Sequence, residues 1–403
     1  MAGPLKGLKV LDLTRVLAGP WCGQTLADMG ADVIKVERPN VGDDTRGWGP
    51  PFLKDGEGNQ TTESAYYLCA NRGKQSIAVD MTTPEGQAII KKLIGEADIL
   101  IENYKVGGLA KYGLDYISIS AEFPSLIYCS ITGFGQTGPR KNQAGYDFMI
   151  QAFGGLMSVT GSPDNQPQKV GVAVADITTG LYSAIAILGA LHHRTATGKG
   201  QHIDMSLLDA QVALLANQNM NYLTTGTSPK RMGNSHPNIV PYRVFETRDS
   251  HVVISVGNDG QFTRFMEKLK RPELAEDPDY KTNQARVEHR VALIAILEPL
   301  VKQKTTAEWL ALLEGALVPC GPVNTIGDAL NDVQIKHRGL RVDLDHPTAG
   351  TVPLVGCPIK YSETTIEYNL APPLRSEHRD EILTSHGYSE DEIVVLKEKG
   401  TVE

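Results

Sequence analysis

Leu8-Lys9-Val10-Leu11-Asp12-Leu13, a helical pattern from about Trp21 to Met29, and Asp32-Val33-Ile34-Lys35-Val36-Glu37 together read as strand, helix, strand. The unit takes about thirty residues, the length of a βαβ crossover. The scheme recurs: Gln75 to Val79 reads as a strand, Thr83 to Glu96 as a helix with Pro84 in its first turn, and Ile99-Leu100-Ile101-Glu102 as a strand. Ser125 to Ile131 supplies a further strand. Strands alternating with helices imply a largely parallel sheet covered on both faces. Ligands on such sheets bind at the carboxyl ends of the strands, so the loops after Leu13, Glu37, Glu102 and Ile131 are the segments to inspect.

Beyond this series, Ser206 to Tyr222 reads as one long helix and Thr224 to Pro241 as a loop rich in Gly, Ser, Asn and Pro. Val252 to Val256 and the helical patterns near Gln261–Lys270 and Arg286–Lys302 form a separate α/β segment. Val318-Pro319-Cys320-Gly321-Pro322-Val323-Asn324 reads as a connector, and the tail from Arg341 holds short strands. The expected organisation is a large domain over 1–205, a linker helix over 206–224, a small domain over 225–325, and a return to the large domain over 326–403.

With 403 residues, 41% hydrophobic and 21% charged, the chain has ample material for more than one core. A net charge of -8 argues against a general nucleic-acid or anionic-membrane surface. It leaves room for a locally basic site that binds a small anion. Cys22, Cys69, Cys129, Cys320 and Cys357 are dispersed and never in a C-x-x-C pair, which reads as reduced thiols in a cytoplasmic compartment. No export signal is read in Met1 to Lys9, and no apolar run is read as a membrane span; the longest, Leu181 to Leu191, is broken by Ser183 and Gly189. No His, Asp and Glu spacing reads as a metal site.

Asp176 sits where the apolar run Val170 to Ala175 meets a helix start, followed by Leu181-Tyr182-Ser183-Ala184-Ile185-Ala186-Ile187-Leu188. The free N–H groups and partial positive charge of that start favour an ionised carboxylate. Such a group is either a helix cap or a nucleophile toward an activated acyl group. Gly133-Phe134-Gly135-Gln136-Thr137-Gly138 matches a dinucleotide fingerprint literally, but Pro139-Arg140-Lys141-Asn142-Gln143 lacks the helix that the fingerprint opens. It reads as a flexible loop. Arg15, Arg38, Lys74, Lys105 and Lys111 fall near strand ends, as an anion site would need. His192-His193-Arg194 suits a helix C-terminus, and Gly257-Asn258-Asp259-Gly260-Gln261 is a strand-to-helix turn or a ligand-approaching loop.

In order along the chain, Leu17-Ala18-Gly19-Pro20, Gly30 to Pro39, Gly42-Asp43-Asp44-Thr45-Arg46, Asn71 to Ile77, Glu102-Asn103-Tyr104, Gly145-Tyr146-Asp147, Asp176 and Gly198-Lys199-Gly200-Gln201 resemble the class III coenzyme A transferases. Gly47 to Phe52, Tyr128 to Gly133 and His236 to Tyr242 look most like the branch that exchanges CoA between succinyl-CoA and glutarate. The resemblance implies a large Rossmann-like α/β domain built from both chain ends, a smaller α/β middle domain, and an interlocked homodimer. It implies CoA thioesters as substrates with no permanently bound cofactor. By position, Asp176 matches the nucleophile, and Val16, Leu17, Ala18, Arg38, Asn71, Lys74, Asn103, Tyr104, Lys111, Tyr146 and Asp147 match CoA-binding positions. Lys111 replaces an arginine common in the family, and Ala144 stands where some members carry a lysine. Gly257, Gly260 and Gln261 match a loop that closes over the site in some members, while Arg46, His236 and Arg243 are candidates to pair with a distal substrate carboxylate.

The implied chemistry is carboxylate exchange through a covalent aspartyl-CoA, with succinyl-CoA as donor and a dicarboxylate such as glutarate as acceptor. A formyl-CoA:oxalate-type transfer and an α-methylacyl-CoA racemase are the alternatives within the superfamily. A racemase needs an acid and a base on opposite faces of the α-carbon, and members of that kind carry His where this chain has Tyr146. A phenol, ionising near 10, is a poor partner for that exchange. A non-catalytic CoA-binding protein has no need of Asp176.

Overall fold

The computed structural model describes residues 3–403, so Met1 and Ala2 of the stretch read for export signals lie outside the described residues. Six parallel strands form the main sheet, in the order Lys74–Ala78, Asp32–Glu37, Lys9–Asp12, Ile99–Glu102, Ile127–Thr132, His202–Ser206. In chain order this is 3-2-1-4-5-6, the doubly wound arrangement whose direction reverses between the first and fourth strands. The expected α/β class and Rossmann-like sheet are borne out.

Strand residues alternate between two apolar layers, as the pleat requires. Val10, Val33, Ile99, Ile101, Ile127 and Cys129 face one core with the helices Ala18–Asp28 and Val174–Thr197. Leu11, Leu13, Leu100 and Tyr128 face the other, with the helix Pro84–Glu96 and the C-terminal helices Arg379–Ser385 and Glu390–Glu398. Thr83 caps the helix Pro84–Glu96 by accepting from the Gly86 N–H. The chain's end thus returns to cover the first half of the sheet.

Contacts divide the chain into two units. The larger holds the chain up to Leu156, Val170–Met220 and Gln334–Glu403, and the smaller holds Met157–Lys169 and Asn221–Val333. In the smaller unit Tyr242–Glu246, His251–Ser255 and Cys320–Pro322 form an antiparallel sheet, and Phe262, Phe265, Leu293, Leu297 and Trp309 fill its core.

Three local expectations are corrected. Ser206 to Tyr222 is a strand end followed by two helices, Leu207–Leu214 and Ala216–Thr225, separated where Ala216 takes φ 42°. Cys320–Pro322 is a ladder strand, because its backbone pairs with Val252 to Ile254. The helix Val174–Thr197 is, by length and composition, apolar enough to cross a membrane, with Ser183 and Gly189 inside it. One of its faces, carrying Asp176, Thr179, Gly180 and Ser183, is buried in the protein.

Candidate active site

The two loops that diverge at the reversal of strand order are those after Asp12 and after Glu102. They open a cavity of about 160 Å³ lined by Arg15, Val16, Leu17 and Ala18, by Asn103 to Val106, by Ile131 to Gly133, by Lys141 to Tyr146, and by Asp176 and Leu207. A second cavity of about 170 Å³ shares Arg15 and Tyr104 and adds Arg38, Gly42 and Asp43 from the loop after Glu37. Every loop that the strand pattern singles out therefore lines one of two adjoining cavities.

Asp176 is the third residue of its helix and is 9% exposed. The cap position belongs to Ala173, which makes no side-chain cap bond. The cap comes instead from Asp147, whose Oδ1 accepts the Ala175 N–H at 2.9 Å while its Oδ2 accepts from Gln151 Nε2 at 2.7 Å. The cap reading of Asp176 is thus corrected, while Asp147, expected as a CoA contact, has one oxygen on the helix start and the other on Gln151 of its own helix. Burial pushes the Asp176 carboxyl up to about 7, and the neighbouring charge of Asp147 adds to the rise. A helix start favours an anion by only about 0.3–1 kcal/mol at exposed sites, whereas full burial can shift a carboxyl by roughly 3–5 units, so desolvation wins.

A pH dependence follows. Only the carboxylate is nucleophilic, so kcat/KM for acyl-CoA is expected to rise with pH along a limb centred near 7. Asp147→Asn deletes the like charge and should move that limb to lower pH. Glu102 also lies near 7, lifted by burial against the opposing Ser130 and Tyr104 hydrogen bonds. Asp147 is not among the groups acting on it, so a limb that stays in place in Asp147→Asn would assign the titration elsewhere.

The remaining expected contacts divide sharply. Val16, Leu17, Ala18, Asn103, Tyr104 and Tyr146 line the Asp176 cavity, and Arg38 lines the adjoining one. Lys74 and Asn71, expected as ligand contacts, do not line either cavity. The Lys74 ammonium is fully buried, 2.9 Å from Asp12 and 3.1 Å from Asn71 Oδ1, and Asn71 Nδ2 donates to the Tyr67 carbonyl. Lys111 is exposed over the Tyr112 ring, outside both linings. Arg46, a candidate for a substrate carboxylate, forks onto Glu37 through two 2.7 Å bonds and stacks 3.7 Å from the Tyr67 ring, so its guanidinium has internal partners.

His236, Arg243, Gly257, Gly260 and Gln261 belong to the smaller unit. There Gln261 Oε1 accepts the Gly257 N–H at 2.6 Å and Asn258 caps the helix Asp259–Lys268. Arg243 lies 3.2 Å from Glu298, and His236 Nδ1 accepts the Asn238 N–H.

Two groups escape the sequence reading. Lys141, Asn142 and Gln143, passed over as a flexible loop, line the cavity. Their signal is the glycine pair that folds the loop back: a Cβ on Gly133 would lie 2.5 Å from the Gly145 Cα, so only glycines permit the approach. Among the described residues, Lys105 and Lys141 line this cavity without an acidic partner. Asp147 as the cap of a helix that starts beyond it has no local signal, since the bond spans 28 positions.

A doubly wound sheet with a buried carboxylate and cations at its switch point is a frame for chemistry on an anionic, activated acyl substrate. The model of CoA-transferase family III matches residues 5–379, and the chain belongs to that family. It is an enzyme of the CoA-transferase class, which takes CoA thioesters as substrates. Succinate--glutarate CoA-transferase of Agrobacterium fabrum is 52% identical over 94% of this chain and 95% of its own length. The human succinyl-CoA:glutarate CoA-transferase is 46% identical over 94% of this chain and 85% of its own. A crystal structure of a CAIB/BAIF family protein from Brucella suis superposes with a TM-score of 0.85 at 53% identity, covering 96% of this chain and all of that one.

Proposed function

We propose that this enzyme moves CoA from succinyl-CoA to a dicarboxylate acceptor such as glutarate, through a covalent aspartyl-CoA on Asp176. The observation that carries the reading is a carboxylate nine-tenths buried, with no hydrogen-bond donor on it among the described residues, lining the switch-point cavity. The names of relatives at 46% and 52% identity support the substrate pair.

The Asp176 carboxylate attacks the thioester carbonyl, the C–S bond breaks, and CoA thiolate leaves a mixed anhydride. The thiolate then attacks the aspartyl carbonyl and releases the donor carboxylate, leaving aspartyl-CoA. The acceptor carboxylate attacks that thioester, and the returning thiolate takes the acyl group and restores Asp176. Arg15, Lys105 and Lys141 offer cationic charge to the anionic substrates. Exclusion of water protects the anhydride. A second copy of the chain is the proposed partner for the exposed apolar face Leu181, Tyr182, Ile185 and Leu188.

With succinyl-CoA as donor, a panel of C2 to C6 mono- and dicarboxylates read by mass spectrometry should show CoA exchange to glutarate and weak exchange to monoacids of equal length. Exchange confined to oxalate or to monoacids would overturn the assignment. Solvent deuterium entering the α-carbon of an acyl-CoA, with no exchange of carboxylates, would move the enzyme to the racemase class.

A further inference from the structure

The turn Thr14–Val16 is held by side chains at almost every backbone group. Asp12 accepts the Thr14 N–H at 2.9 Å, and Lys35 Nζ donates to the Thr14 carbonyl at 2.8 Å. Asn103 takes both backbone polar groups of Arg15, accepting its N–H at 3.0 Å and donating to its carbonyl at 2.7 Å. Asp43 Oδ1 accepts the Val16 N–H at 3.2 Å. Lys35 and Asp43 are themselves an ion pair at 2.8 Å with both side chains fully buried.

Val16, a β-branched residue, is held at φ 72°, in the left-handed region that L-residues avoid. Directly after it the helix Ala18–Asp28 begins with no side-chain cap at Leu17, and Val16, Leu17 and Ala18 face the Asp176 cavity. Strain of this kind persists only where surroundings over-determine it, and it concentrates at functional sites. A buried ion pair is generally no more stabilising than an apolar pair of the same size. Core cohesion alone therefore gives little reason for Lys35 and Asp43 to be charged. Both groups stay charged: burial opposes the charge on each, but Lys35 and Thr45 hold the Asp43 carboxyl down at about 2, while Asp43, Asp12 and Glu37 hold the Lys35 ammonium above its usual range.

We propose that Lys35 and Asp43 are positioning residues for CoA transfer: the pair clamps the backbone on either side of Arg15 and holds Val16 in the strained turn that receives acyl-CoA. The proposal rests on the transferase reading above. Its physical content is that the clamp supplies what the backbone of Val16 opposes, so a glycine at 16, which accepts positive φ freely, makes the clamp dispensable.

The test is Asp43→Asn in three backgrounds, parent, Val16→Ala and Val16→Gly, with CoA dissociation constants from calorimetry and kcat and KM for succinyl-CoA. In the parent and in Val16→Ala, Asp43→Asn should raise the CoA dissociation constant and KM about tenfold, with a smaller change in kcat, because the competent turn becomes a minor population. In Val16→Gly the same substitution should cost no more than about twofold. Equal penalties in all three backgrounds would overturn the proposal and leave the pair as core structure. Should the Asp43 variants fail to fold, the single variants decide: Val16→Gly must melt above Val16→Ala, and equal melting would remove the strain on which the clamp depends. A parent enzyme that binds CoA but transfers nothing from succinyl-CoA would sink the transferase reading alone, because the calorimetric comparison still reads the clamp.

Discussion

Asp176→Ala is expected to lower kcat by at least about 10⁴-fold while changing CoA affinity little, since the carboxylate is the covalent carrier and no other group can store the thioester's energy. Hydroxylamine added after acyl-CoA should label residue 176 in the parent and nothing in the variant. Residual transfer within tenfold of the parent would end the covalent proposal. Asp176→Asn carries a second, independent signature. The folded-state carboxyl of Asp176 is raised from 3.8 to about 7, chiefly by burial. A raised carboxyl contributes stability that is complete below the unfolded value and is lost as pH climbs through the folded one. Removing the ionisable group should therefore leave stability unchanged below about pH 4 and raise it by a few kcal/mol above pH 7. A variant more stable at alkaline pH and inactive is the pattern of a buried group kept for chemistry. Equal stability at both pH values would mean that the group is solvated in the resting enzyme.

Gly180→Ala is expected to lower both stability and rate, although it adds a single methyl group. Gly180 stands one turn after Asp176 on the same helix face, against the start of the helix Ala18–Asp28. A Cβ there would lie 2.6 Å from the Ala18 carbonyl oxygen and 3.2 Å from the Trp21 Cβ. Alanine improves helix propensity by about 1 kcal/mol, whereas overpacking a rigid contact costs roughly 1–3 kcal/mol. The obstacle is backbone, so the two helices must part, and a net loss of thermal stability follows. The same parting moves Asp176 relative to Leu17 and Ala18, for which a displacement near 1 Å can cost about 10²-fold in rate. Melting temperature and kcat/KM should fall together. A variant with a higher melting temperature and unchanged kcat/KM would show that the gap between the helices is not tight.

The cations that pair inside the protein share a cause. Lys74 and Lys35 each read as a surface cation or a motif position when taken alone, yet both ammonium groups are fully buried against Asp12 and Asp43. Nothing in a local window marks a lysine whose partner stands 62 positions away. Arg46 is similar: its fork to Glu37 and its stack on Tyr67 depend on a chain path that brings three segments together. The strand Cys320–Pro322 reads as a connector because Gly and Pro dominate it, and its ladder to Val252–Ile254 is a non-local pairing that overrides propensity.

Other features were legible because their physical cause is local. Apolar alternation and helix signals from Leu8 to Ile131 determine the βαβ series, and the carboxyl ends of its strands mark where the cavities open. The ordered motifs determine the family, since they depend on residue identity at positions along the chain and on no contact. Tertiary structure alone decided which charges face the ligand and which are buried as partners, because burial and charge pairing are set by segments far apart in sequence. It also decided the state of Asp176: the helix start written into the sequence favours the ion, but the desolvation and the Asp147 charge that lift its carboxyl to about 7 exist only once the helix start is packed.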